Sequence, residues 1–183
     1  MRKLVLSRLM SLDGYSCDPG TEPFKLLMEI EDPEQEKYAL ARLRQVGTHI
    51  MGRVTYEDMS RYWPGSDLPA AAPMNEIPKV VFSSTLRSAD WPETRIAAGD
   101  TEAEIARLKA EPGGEILAHG GTAFARSLIQ LGLVDEYLFW LVPAAAGKGV
   151  ALFTDFTRLR LRSSTAFPSG MLELAYAPAG TGR

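Results

Sequence analysis

The chain has 183 residues, enough for one domain that buries most of its apolar surface without disulfides or a structural metal. Its formal charge of −3 comes from interspersed acids and bases with no long basic run, so no nucleic-acid or membrane partner is expected on electrostatic grounds. Cys17 is the single cysteine, the charges at Arg2, Lys3 and Arg8 interrupt any secretory apolar core, and no apolar run is long enough to span a bilayer, which gives the expectation of a cytoplasmic protein.

Leu4 to Leu12 shows too little polar alternation for a solvent-facing hairpin and predicts a buried strand, closed by the turn pair Asp13-Gly14. Tyr15 to Glu31 contains Pro19, Gly20 and Pro23 and no clean period, which predicts a long irregular connection of the kind that carries function. Asp32-Pro33-Glu34-Gln35 supplies an N-cap, a proline at the first helical position and a capping-box glutamine, opening a helix to about Gln45. Thr48 to Met51 is a short strand ended by Gly52, Val54 to Ser60 a helix, and Trp63 to Pro73 a loop. Lys79 to Phe82 is another buried strand, ended by Ser83-Ser84-Thr85, and Ile96 marks a further short one.

Thr101-Glu102-Ala103-Glu104 reads as a second capping box, whose helix stops before Pro112-Gly113-Gly114. Glu115 to Ala118 is a strand broken by His119-Gly120-Gly121-Thr122 and followed at once by a helix, then by a strand from Glu136 to Val142. At the C-terminus Leu159 and Leu161 alternate with Arg158, Arg160 and Arg162, and Met171, Leu172 and Leu174 follow the turn Pro168-Ser169-Gly170, a pattern of an antiparallel hairpin. Strands alternating with helices imply a mainly parallel sheet covered on both faces, within a single domain spanning 1–178 and a frayed tail at 179–183.

Three apolar strands end alike: at Gly52-Arg53-Val54-Thr55, at Ser83-Ser84-Thr85 and at Gly120-Gly121-Thr122. In a parallel sheet such ends share one edge, where ligands bind. Each offers what a phosphate needs, namely free N–H groups, small residues and hydroxyls, with Arg53 as a bidentate cation; each read singly is also a plain turn. The dinucleotide fingerprint G-x-G-x-x-G and the P-loop are absent, as are H-E-x-x-H and the G-x-S-x-G elbow, and two histidines with one cysteine give no metal site. His49 reads as a hydrogen-bonded core residue, and His119 as structural more readily than catalytic.

The segments "LVLSRLMSLDGY", "MGRVTYEDMSRYWP", "PKVVFSST", "EILAHGGTAFARSLIQLGLVDEY" and "LVPAAAGKGVALF", in that order, resemble the bacterial dihydrofolate reductase-like family, which is similar to the reductase domain of riboflavin biosynthesis. The resemblance runs from about Lys3 to Tyr176, and "GRVTYE" with "YWP" is its most specific part. It implies a three-layer α/β/α domain with a mixed, mostly parallel sheet and a C-terminal antiparallel hairpin, an NADPH cleft, and a homodimer.

Carried over by position, Gly52, Arg53 and Thr55 would hold the pyrophosphate and adenosine side, and Ser83, Ser84 and Thr85 the region of the adenosine 2′-phosphate. Gly120, Gly121, Thr122 and Ala123 would cover the pyrophosphate, the two glycines leaving space for the cofactor. Met10, Ser11 and Tyr15 would line the nicotinamide and substrate pocket. Thr122 stands where dihydrofolate reductase has an arginine for the 2′-phosphate, a task left to Arg53 or Arg126. The expected activity is hydride transfer from NADPH to a C=N or C=O in a small pterin-like or pyrimidine-like heterocycle, with the proton coming from Asp13 or from water; Asp13 is equally the turn residue of its Asp-Gly pair. The alternative is a cofactor- or small-molecule-binding module on the same fold without turnover.

Overall fold

Nearly every side chain of Leu4–Ser11 (β1) is buried, which requires a strand inside a sheet with both faces covered. The computed structural model, which describes residues 1–180, has that arrangement. After β1 follow α1 (Glu22–Glu29), α2 (Pro33–Leu43), β2 (Val46–Gly52), α3 (Arg53–Tyr62), α4 (Ala71–Glu76), β3 (Lys79–Phe82), β4 (Thr94–Ala97), α5 (Thr101–Ala110), β5 (Glu115–Ala118), α6 (Thr122–Gln130), β6 (Glu136–Val142), β7 (Leu159–Ala166) and β8 (Leu172–Pro178). The eight strands form one sheet in the order β4-β3-β2-β5-β1-β6-β8-β7. All neighbours from β4 to β6 are parallel, and β8 and β7 add the antiparallel hairpin.

Alternation along the strands sorts the side chains into two layers. Val5, Leu117 and Leu138 pack with Leu43 of α2, while Met51 and Val81 pack with Tyr56 of α3 and Met74 of α4. On the opposite face Leu4, Leu6, Ile50 and Ile116 pack against Ile105 and Leu108 of α5 and Ala125 and Leu128 of α6. The result is a three-layer α/β/α domain. No helix among the described residues is long and apolar enough to cross a membrane.

Local differences from the sequence reading have local causes. The connection read as irregular contains α1; Thr21 at its N-cap and Pro23 in its first turn are ordinary helix-start residues, but the Thr21 hydroxyl donates to the Asp18 carbonyl rather than capping a helix amide. The stretch read as loop after Trp63 contains a 3-10 turn (Trp63–Gly65) and α4, again without a capping side chain. Helix α5 is capped by Asp100, whose Oδ1 accepts from the Ala103 amide at 2.9 Å, rather than by Thr101. Asp32 does cap α2, taking the amides of Glu34 and Gln35 on Oδ1, but the helix stops at Leu43. At the tail, the Ala179 amide donates to the Arg158 carbonyl at 2.9 Å, while 181–183, part of the stretch expected to fray, lie outside the described residues.

Lys79 fixes the joint between α4 and β3. Only 1% exposed, its ammonium donates to the carbonyls of Met74, Asn75 and Ile77 at 2.8 to 3.1 Å and lies 4.7 Å above the Trp91 ring. A charge in a core is tolerated when its donors are all used, and the Met74 and Asn75 carbonyls lie in the last turn of a short helix.

The carboxyl ends of the strands are not level. Leu6 of β1 pairs with Ala118, the last residue of β5, whereas β1 and β6 run on together to Ser11 and Val142. That is five residues further, or about 17 Å of strand. The turn after β5 therefore sits in a recess of the sheet edge.

Candidate active site

The three predicted strand ends meet at this edge. Gly52 pairs with Phe82 and Ile50 with Ala118, so parallel register alone sets the turns after β2, β3 and β5 side by side. Packing closes the group: the Phe82 and Phe124 rings stand 5.1 Å apart, and a Cβ added to Gly52 would come within 3.2 Å of Phe124 Cβ.

The glycine pair has a backbone reason, which the residue type itself suggests, and a packing reason, which lay beyond the sequence. Gly120 and Gly121 have φ of +56° and +37°, the left-handed region that side chains avoid. A Cβ on Gly120 would also meet Thr55 Cγ2 at 2.5 Å and Thr55 Oγ1 at 2.6 Å. Thr55, not an empty cleft, fills the space beside Gly120. At Gly121 the neighbouring contact is Thr55 Oγ1 alone, at 3.1 Å.

Helices α3 and α6 both start here, capped by Gly52 and Gly121 with no side-chain hydrogen bond. Their first-turn N–H groups and positive dipole ends face the edge, a donor set suited to a phosphate chain. Thr122 opens α6; its hydroxyl accepts from Arg8 Nη2 at 3.2 Å and donates to Asp18 Oδ2 at 3.0 Å, while Arg8 pairs with Asp18 Oδ1 at 2.9 Å. This buried arginine escaped the sequence reading because its partners lie in the connection after β1 and on α6. Ala123 is exposed on the first turn of α6. Arg53 is half-exposed and pairs with Glu57 one turn on, and Arg126 donates to the Ala151 carbonyl. Ser83 Oγ accepts from the amides of Thr85 and Leu86, leaving Ser84 and Thr85 exposed on the turn.

Asp13 is engaged elsewhere. Its carboxylate accepts from Ser11 Oγ at 2.6 Å and from the amides of Ala146 and Gly147 at 2.9 and 2.7 Å, bracing the turn after β1 against the loop after β6. The Ser11 hydroxyl and those two amides hold its pKa down to about 2. A carboxyl in that state carries no proton at neutral pH, and the bracing role is the one the geometry supports.

Beside the edge lies a cavity of about 600 Å³ on the α2–α4 face. Val46, Leu117, Leu138 and Trp140 form its floor, α2 one wall, and Met59, Trp63 and Met74 the other. Met10, Ser11 and Tyr15 do not line it; β1 contributes Ser7 instead. The side chains of Leu4, Leu6 and Met10 belong to the opposite face, so the period-two alternation of β1 decides this. None of the predicted cofactor-binding residues lines the cavity either, but His119 does, directly before the glycine pair.

His119 Nε2 lies 2.8 Å from His49 Nδ1, and His49 Nε2 lies 3.4 Å from the Pro73 carbonyl. Burial pushes the His49 imidazole down to about 4, and burial together with the neighbouring ring holds His119 well below its ordinary value. Both rings are neutral at pH 7.

This strand order, covered by helices on both faces, defines the dihydrofolate reductase-like class of α/β fold. Within it, the chain belongs to the RibD C-terminal domain family, whose model matches residues 2–172. The uncharacterized protein YyaP of Bacillus subtilis (strain 168) is 28% identical over 183 residues, covering 96% of this chain and 94% of its own. A solved structure of a Shewanella sp. PV-4 protein assigned to riboflavin biosynthesis superposes with a TM-score of 0.74 at 21% identity, over 96% of this chain and 98% of its own. Dihydrofolate reductase from Enterococcus faecalis, solved with NADP(H), gives 0.63 at 15% identity, over 97% and 96%.

Proposed function

We propose that the protein is an NADPH-dependent reductase that transfers hydride to a small heterocycle of the pterin or pyrimidine type. The observation that carries this reading is the meeting of two helix starts without capping side chains, α3 and α6, at one sheet edge, with a largely apolar cavity opening beside them at His119. When bound, NADPH supplies a hydride from its nicotinamide C4. The first-turn amides of Arg53 to Thr55 and of Thr122 and Ala123 hold its pyrophosphate, with the half-exposed Arg53 adding positive charge nearby. Ser84 and Thr85 offer exposed hydroxyls to the adenosine side.

The apolar floor and the two helix walls of the cavity exclude water and fix the plane of the substrate ring. Water rather than Asp13 delivers the proton, because the Asp13 carboxylate stays ionised. The same reading takes the protein as a cytoplasmic homodimer.

Titration of the purified protein with NADPH, followed by nicotinamide fluorescence, is the test; a saturable signal is expected, and none up to millimolar cofactor defeats the proposal. The second reading is a binding module without turnover. Loss of NADPH absorbance across a panel of heterocycles separates the two, since a pure binder oxidises none.

A further inference from the structure

The hydrogen-bond chain from Pro73 through His49 to His119 fixes which atoms of the two rings carry hydrogen. A carbonyl can only accept, so His49 Nε2 holds the proton toward Pro73. In a neutral ring the other nitrogen, Nδ1, is then a bare acceptor, and His119 Nε2 must donate to it across 2.8 Å. His119 is left with an unprotonated Nδ1, which takes no other protein hydrogen bond among the described residues.

His119 lines the cavity, and so does Ser7. Because Leu6 pairs with Ala118, the residues that follow, Ser7 and His119, are neighbours across the β1–β5 edge, about 5 Å apart between strands. Both project to the α2–α4 side. A residue whose hydroxyl can donate and one whose free ring nitrogen can only accept thus both line the cavity, just beyond the last β1–β5 pair and before the glycine turn. Trp140 and Leu138 supply flat apolar surface next to them.

Resting on the reductase reading for its place in the reaction, we infer that His119 and Ser7 form the specificity pair of the cavity and select a planar heterocycle by a lactam edge. The ring N–H donates to His119 Nδ1, and the adjacent C=O accepts from Ser7 Oγ. His49 is the positioning residue: it touches no ligand and acts by holding His119 in the tautomer that presents an acceptor. A site of this polarity rejects an isostere whose ring nitrogen is methylated, since it leaves a buried acceptor unpaired.

The test has two independent readouts on the full-length protein without cofactor. Long-range ¹⁵N–¹H correlation spectra of the two imidazoles at pH 7 should show His119 protonated at Nε2 and bare at Nδ1. His49→Phe should abolish that preference, and His49→Asn, whose Oδ1 stands where the imidazole acceptor stood, should restore it. Binding of quinazolin-4(3H)-one, followed by calorimetry, should weaken by about tenfold or more on N3-methylation of the ligand, and similarly in Ser7→Ala and His119→Phe with the parent ligand. Protonation of His119 Nδ1, equal binding of the two bicycles, or binding of neither overturns the inference. Failure of NADPH to bind leaves both readouts in force, so the reductase reading and this one fail separately.

Discussion

Acid should weaken the fold through His49, and the size of the effect follows from its burial. Its imidazole falls from an ordinary 6.5 to about 4 in the folded protein, because burial and the nearby Lys79 ammonium disfavour its charged form. The folded value lies below the unfolded one, so its contribution is fully present above pH 6.5 and drains away as pH falls toward 4. The whole shift corresponds to about 3 kcal/mol, of which about 2 kcal/mol is lost between pH 7 and pH 5. Glu115 and Glu173, whose carboxyls burial pushes up, act in the opposite direction and partly mask the slope. The comparison is therefore made between wild type and His49→Phe, by urea denaturation at pH 7, 6 and 5. The difference in unfolding free energy between the two proteins should shrink by about 2 kcal/mol over that range. Parallel stability–pH curves would refute the reasoning.

Three further outcomes are expected. Gly120→Ala should destabilise by about 2 to 4 kcal/mol, from its left-handed backbone and its collision with Thr55; in a double-mutant cycle, Thr55→Gly should show a favourable coupling of about 1 kcal/mol or more with it, and strict additivity would disprove the packing account. Lys79→Met leaves three carbonyls without their donor and should cost about 3 kcal/mol in thermal unfolding; a change under about 0.5 kcal/mol would show that water replaces the ammonium. Asp13→Asn should speed hydrogen exchange at the Ala146 and Gly147 amides while leaving any measured turnover within about threefold, whereas collapse of turnover with unchanged exchange would return Asp13 to the chemistry.

Much of the architecture was legible because it rests on local signals. The buried run of β1, the Asp32 cap with its proline, and the alternation of Leu159 and Leu161 with arginines each report a physical preference of a few consecutive residues. The convergence of the turns after β2, β3 and β5 followed from parallel pairing alone. What stayed hidden depends on atoms far apart in the chain. His49 and His119 are 70 positions apart, and only β2–β5 pairing brings their rings into contact. Gly120 is required by Thr55, a neighbour no local pattern reveals. Alternation along β1 puts Ser7 in the cavity and Met10 on the α5–α6 face, but choosing between the two faces required knowing which helices cover each.

The recess in the sheet edge gives the turn after β5 little room for change in length. One residue inserted between Ala118 and His119 would rotate the imidazole to the α5–α6 layer, cutting it off from His49 and from the cavity at one stroke. Two inserted residues would restore the side but carry the glycine pair about 7 Å outward, clear of Thr55. Of all the connections in this protein, it is therefore the one least able to drift in length while the remainder of the scaffold persists, and insertion scanning with a folding reporter should find it as the intolerant point on an otherwise permissive rim.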